Sequence, residues 1–157
     1  MRVIKRLLVG VLLMSVAVLA SAEERKIVYD LKLGNADRVV GYLFDDIKYN
    51  AAHYAERGID FSVAVVISGQ AYKFFVEDIE NSPYKNDPEL RAIQARFRPI
   101  LEELVEDYGV EFNMCVVGME RQGLSTDLLY SFVEAEKSQP IYLIDYQAEG
   151  YAYLPLH

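Results

Sequence analysis

The sequence predicts one α/β domain: a five-stranded, mostly parallel sheet with helices on both faces. Three observations predict it. Apolar segments alternate between near-continuous β-branched runs and apolar residues at helical spacing. The run FSVAVVI, Phe61 to Ile67, is apolar almost throughout, as in a parallel strand covered on both faces. No internal repeat, low-complexity tract or linker divides the chain, and five strands joined by helical crossovers imply a doubly wound sheet.

Each element follows in order. IVYDLKL, ending at Gly34, reads as the first strand, and Asn35 to Gly58 as a helix with Val39, Val40, Leu43, Phe44, Ile47, Ala51 and Tyr54 on its apolar stripe. Gly58 stops that helix. Phe61 to Ile67 is the central strand, a short helix is expected around Ala71 to Glu77, and Asn81 to Asp87 is the longest loop. Asp87-Pro88 pairs an N-cap with a first-turn proline and opens a helix towards Tyr108. Its stripe is Leu90, Ile93, Phe97, Ile100, Leu101, Leu104 and Val105, and Pro99 is expected to kink or split it. Val110 to Val117 reads as the third strand with Cys115 near its end. Ser125-Thr126-Asp127 caps a short helix, Phe132 to Glu136 is a weak fourth strand, Ser138-Gln139-Pro140 opens a helix ending at Gly150, and Tyr151 to Leu154 closes the sheet.

The first 22 residues begin with Arg2, Lys5 and Arg6, continue as an uncharged apolar run from Leu7 to Leu19, and close on Ala20-Ser21-Ala22. A basic start, a short apolar middle and a small-x-small end are the three parts of a cleavable export signal. Residues 1–22 are therefore expected to be a signal peptide, residues 23–157 the domain, and the mature protein periplasmic. The apolar run is short for a membrane span, so no membrane association is expected after cleavage. Removing 22 of 157 residues leaves 135, the size of one domain with a sizeable core. Three of the 16 basic residues and none of the 24 acidic ones leave with the leader, so 13 remain against 24, a formal charge of −11. Such a surface repels phosphate backbones and anionic lipid, which excludes nucleic acid as an expected partner.

Cys115 is the one cysteine, so no intramolecular disulfide forms, and an unpaired cysteine in an exported chain is a flagged thiol. With His53 and His157 the only histidines, a zinc site is not expected. Walker, G-x-G-x-x-G and G-x-S-x-G motifs are missing, so no cofactor is expected. In doubly wound sheets ligands bind beyond the carboxyl ends of the strands. Gly34-Asn35, Ser68-Gly69-Gln70 and Cys115 to Glu120, with Gly118 and Gly123, become the candidate cleft. A thiol there can face the N-terminus of a following helix, whose amides and dipole favour a thiolate. Arg121 adds positive charge if the segment curls back. The alternative is a cysteine packed as a small apolar side chain. Asn35 is read first as a helix cap, and His53 as a solvated surface residue. Strand alternation puts Asn113 on the face of Cys115 and leaves Glu120 in a loop. Tyr72, Tyr142, Tyr151 and Tyr153 suit a pocket lining, a subunit interface or a core edge equally.

The stretch Cys115-Val116-Val117-Gly118-Met119-Glu120-Arg121-Gln122-Gly123-Leu124 resembles the segment around the sulfur-carrying cysteine of the DsrE/DsrF-like family, and Gln147 to Pro155 resembles the ending of its stand-alone members. The resemblance implies a five-stranded α/β domain assembled into trimers or hexamers. It implies that Cys115 accepts a sulfane sulfur as a persulfide, that Arg121 matches the arginine after it, and that Gly123 matches the glycine that turns the chain. Val116 and Val117 are bulkier than the residues the family often places there and are expected to narrow access. The implied function is a periplasmic sulfur carrier, sulfurtransferase-like, whose partners are a sulfane donor or an acceptor protein. The competing readings are a non-catalytic oligomeric module that binds a small ligand in the same cleft, and a thiol redox sensor.

Overall fold

A computed structural model describes residues 23–157; the expected leader lies outside the described residues. Five strands, β1 (Glu24–Leu31), β2 (Asp60–Ile67), β3 (Glu111–Met114), β4 (Val133–Glu134) and β5 (Ala152–Leu156), form one sheet in the order β4-β3-β2-β1-β5. Every neighbouring pair is parallel. The helices are α1 (Ala36–Val39), α2 (Asp45–Ala55), α3 (Leu90–Glu106), α4 (Val116–Arg121) and α5 (Gln139–Ala148).

Strand alternation sorts the core into two unequal halves. Ile27, Tyr29 and Leu31 with Val63, Val65 and Ile67 face the larger cluster, which takes in Ile47 of α2 and Phe97, Leu101 and Leu104 of α3. Val28, Ala64 and Val66 face the other way, beneath Tyr142 of α5. Among the described residues α5 thus covers that side. The Tyr142 hydroxyl accepts hydrogen bonds from the backbone N–H of Glu136 (3.0 Å) and Lys137 (3.3 Å), and the Lys137 carbonyl accepts one from Val116 N–H (3.1 Å). These bonds fix the start of α5 against the start of α4, at the carboxyl edge of the sheet.

Five local expectations are corrected. The third strand stops at Met114, three residues before Val117, because Cys115 turns into α4 and Glu120 lies in that helix rather than in a loop. Asn35 to Gly58 is not one regular helix: a π-helical turn, Val40–Phe44, joins α1 to α2. Asp87-Pro88 forms a turn before α3, whose N-cap is Glu89; the Asp87 carboxylate accepts from the Glu89 N–H at 3.1 Å. Pro99 does not split the chain into two helices, since α3 runs unbroken through it. Pro99 and Ala95 both lie on the solvent side, so the carbonyl that the missing N–H leaves free is not buried.

Candidate functional site

Beyond the carboxyl ends of β1, β2 and β3 lies an open cleft of about 590 Å³. Its lining includes Lys32, Ser68, Gly69, Tyr72, Cys115, Gly118 and Arg121, and its far wall is Ser138, Gln139 and Pro140 at the start of α5. Two helix N-termini, those of α4 and α5, therefore open onto one cysteine.

Cys115 is the N-cap of α4, in extended conformation with φ −64° and ψ 107°. Its N–H continues the sheet ladder to the Ile67 carbonyl at 3.0 Å, and its carbonyl accepts from Met119 N–H at 3.0 Å. The side chain is 8% exposed. It does not close a full capping hydrogen bond; the sulfur instead stands near the amides of Gly118, Gln139 and Val117 and the Tyr72 hydroxyl. Burial pushes the thiol pKa up, but these donors together outweigh it and hold the thiol below its ordinary 9.0. The amides are among the orphan N–H groups every helix start presents.

Tyr72 is 2% exposed and donates to the Cys115 carbonyl at 3.1 Å. Burial raises its own pKa, and the neighbouring Cys115 thiol adds to the effect, so the hydroxyl stays protonated. Its hydroxyl fills the space over Gly118: a Cβ there would lie 2.0 Å from the oxygen. Gly118 is thus required for close approach inside a helix, not for a tight turn. The turn belongs to Gly123, which ends α4 with φ 71°.

The remaining candidates divide. Cys115, Arg121, Ser68, Gly69 and Gly118 share the cleft. Gly34 and Asn35 line a separate depression with Lys73 and Arg96; Asn35 caps α1, its side chain accepting from Arg38 N–H at 2.9 Å. Gln70 packs against Gly34, where a Cβ would lie 2.1 Å from its amide oxygen, and Gly123 lies outside the cleft lining. Asn113 gives its amide to the Tyr146 hydroxyl at 2.8 Å instead of the cleft. Arg121 is exposed, and among the described residues it joins no ion pair.

The profile of the DsrE/DsrF-like family matches residues 14–156. The chain belongs to the DsrE/DsrF-like family. An uncharacterized protein of Aquifex aeolicus (strain VF5) is 26% identical over 134 residues, which are 85% of this chain but 57% of that protein, so the chain spans little more than half the relative's length. A solved structure, the protein of unknown function MTH1491 from Methanobacterium thermoautotrophicum, has a TM-score of 0.65 at 19% identity, over 84% of this chain and 99% of that one. It bears out the five-stranded α/β domain.

For a DsrE/DsrF-like protein the access question turns on two valines. Val116 packs half-buried against the core and leaves the cleft clear, whereas Val117, 39% exposed, lines it. Only one narrows the entrance. Sequence reading missed Lys32, Gln122, Ser138, Gln139 and Pro140 as cleft residues and placed Tyr72 only within a general tyrosine supply. The Pro140 signal for a helix start was present, but nothing in the order of residues says that this start faces Cys115.

Proposed function

We propose that the chain is an exported sulfur carrier, sulfurtransferase-like, working through Cys115. The supporting observation is the convergence of amides from two helix starts on one thiol at the carboxyl edge of the sheet, with the Tyr72 hydroxyl beside it on the Cys115 carbonyl. The Cys115 thiolate attacks the outer sulfur of a sulfane donor. A sulfur–sulfur bond forms, the bond between that sulfur and its leaving group breaks, and the electron pair departs with the leaving group, sulfite where the donor is thiosulfate. An acceptor thiolate then attacks the outer sulfur of the persulfide, and Cys115 leaves as a thiolate into the same amides. The donors that lower the thiol pKa serve it first as nucleophile and then as leaving group.

Export rests on the three-part leader, and assembly into a trimer or hexamer on family membership. The exposed Ile141 and Ile144 of α5 and Tyr153 and Leu154 of the edge strand β5 supply apolar surface for it. N-terminal sequencing of periplasmic protein should begin at Glu23, and light scattering should return a multiple of the protomer mass.

The decisive experiment is intact-mass spectrometry of folded protein after incubation with polysulfide or thiosulfate. Wild type should gain the mass of one or more sulfur atoms, reversibly with reductant, and Cys115→Ser should gain none while keeping its fold. An unchanged wild-type mass after prolonged exposure overturns the relay.

A further inference from the structure

The parallel ladder does not stop where the strands formally end. Leu31, Ile67 and Met114 are in register across β1, β2 and β3. One residue further on, Ser68 N–H donates to the Leu31 carbonyl at 2.9 Å and Cys115 N–H to the Ile67 carbonyl at 3.0 Å. Lys32, Ser68 and Cys115 therefore stand side by side as the next row, and all three line the cleft. Ser68 is 5% exposed, and among the described residues its hydroxyl has no hydrogen-bond partner. The other buried hydroxyl in that condition, Tyr130, is not part of the cleft lining.

A buried hydroxyl without a partner is destabilising, and alanine would remove the problem. Retention of such a group one position from a thiol points to a partner that arrives with the ligand. Lys32 supplies a positive charge on the far side of Ser68. Its ammonium lies 3.1 Å from the ionised Asp30 carboxylate, which positions it and shares part of its charge.

We infer that Ser68 and Lys32 form the seat for the outer, anionic sulfur of the Cys115 persulfide, separate from the amides that hold the inner one. This rests on the sulfur-carrier reading and deepens it. A persulfide is more acidic than its parent thiol, so its outer sulfur is an anion at neutral pH. That sulfur sits about 2 Å beyond the thiol sulfur, within the same row of side chains. The Ser68 hydroxyl donates to it and Lys32 offsets its charge, which lowers the energy of the loaded state without touching the unloaded thiol. When an acceptor thiolate takes the outer sulfur, the Cys115–sulfur bond breaks and its electron pair returns to Cys115.

Ser68→Ala and Ser68→Thr, loaded with polysulfide at limiting concentration, test this. Bound sulfane sulfur is measured by cyanolysis to thiocyanate, and the unloaded thiol by its alkylation rate with iodoacetamide across pH. Ser68→Ala should melt no lower than wild type, alkylate with an unchanged pH profile, and hold roughly tenfold less sulfane sulfur, the scale of a lost hydrogen bond to an anion. Ser68→Thr, which keeps a hydroxyl, should recover most of the loading. A wild type that loads while Ser68→Ala loads equally overturns the seat; a shifted alkylation profile in Ser68→Ala does so too, since the hydroxyl would then act on the thiol itself. A wild type that never loads overturns the carrier function instead.

Discussion

Replacing Gly118 by alanine sets two effects of opposite sign against each other. Gly118 lies inside α4 in helical conformation, where alanine ordinarily stabilises by about 1 kcal/mol. The new Cβ, however, would lie 2.0 Å from the Tyr72 hydroxyl oxygen, 2.8 Å from Cζ and 3.3 Å from Cε2. Tyr72 is 2% exposed, so its ring has no open space to enter and must move against the core. Overpacking of this kind costs about 1–3 kcal/mol, and the 3.1 Å bond to the Cys115 carbonyl is worth about 1 kcal/mol more. The sum is a net loss of roughly 1–3 kcal/mol. Because the Tyr72 hydroxyl beside the sulfur also helps to hold the Cys115 pKa down, its displacement moves the thiol back up towards 9.0. Urea unfolding gives the first quantity, and the pH dependence of alkylation by iodoacetamide gives the second. Adding Tyr72→Phe should recover part of the stability by deleting the atom at 2.0 Å, while leaving the thiol pKa raised. A Gly118→Ala protein that is about 1 kcal/mol more stable, as helix propensity alone requires, with an unmoved thiol pKa, refutes the packing of Tyr72 over that glycine.

Arg121→Ala should leave the thiol pKa nearly unchanged, because the leading donors at sulfur are amides and a phenol. It should instead slow alkylation by iodoacetate more than by iodoacetamide, a difference that added salt abolishes. Asp30→Asn should destabilise by about 2–3 kcal/mol in urea at neutral pH, since it leaves Lys32 and the donors Tyr153, His157 and Gln139 around an uncharged group. Burial alone would raise the Asp30 pKa, but its partners hold it below 3.8. Its ionised form thus favours the fold above the unfolded value, and the wild-type advantage should fade as pH falls below about 4.

The periodicities that define β1, β2 and α3 are one-dimensional, which is why the fold was legible in the order of residues. The valine-rich run of β2 had only one environment to go to, and Phe97, Leu101 and Leu104 on one helical face did go to the core. Boundaries were less legible where competing local bonds decide them. Cys115 ends β3 because its carbonyl is taken by Met119 N–H and by Tyr72, and neither partner is readable from strand propensity. The cleft was half legible for a related reason. Ser68, Gly69, Cys115, Gly118 and Arg121 follow strand ends in the chain, but Gln139 and Pro140 reach the same place only because β5 returns beside β1 and α5 crosses the opposite face. Strand order carries no local signature.

Three departures from ordinary folding rules meet around this thiol. Gly118 stands within a helix, where it weakens the element that contains it. Ser68 holds a buried hydroxyl that nothing in the described chain satisfies. Asp30 is a carboxylate 1% exposed, and one of its partners, Gln139, belongs to the turn of α5 whose amide faces the sulfur. Any one of these has a structural explanation alone. Their meeting at one end of the sheet, about a cysteine whose pKa is lowered by two helix starts, is the distribution expected when stability is given up to hold a reactive group. The proposed carrier role of Cys115 gives each of these neighbours a use, and the sulfane-loading and alkylation measurements on Ser68→Ala and Gly118→Ala test that role against a cysteine that only fills space.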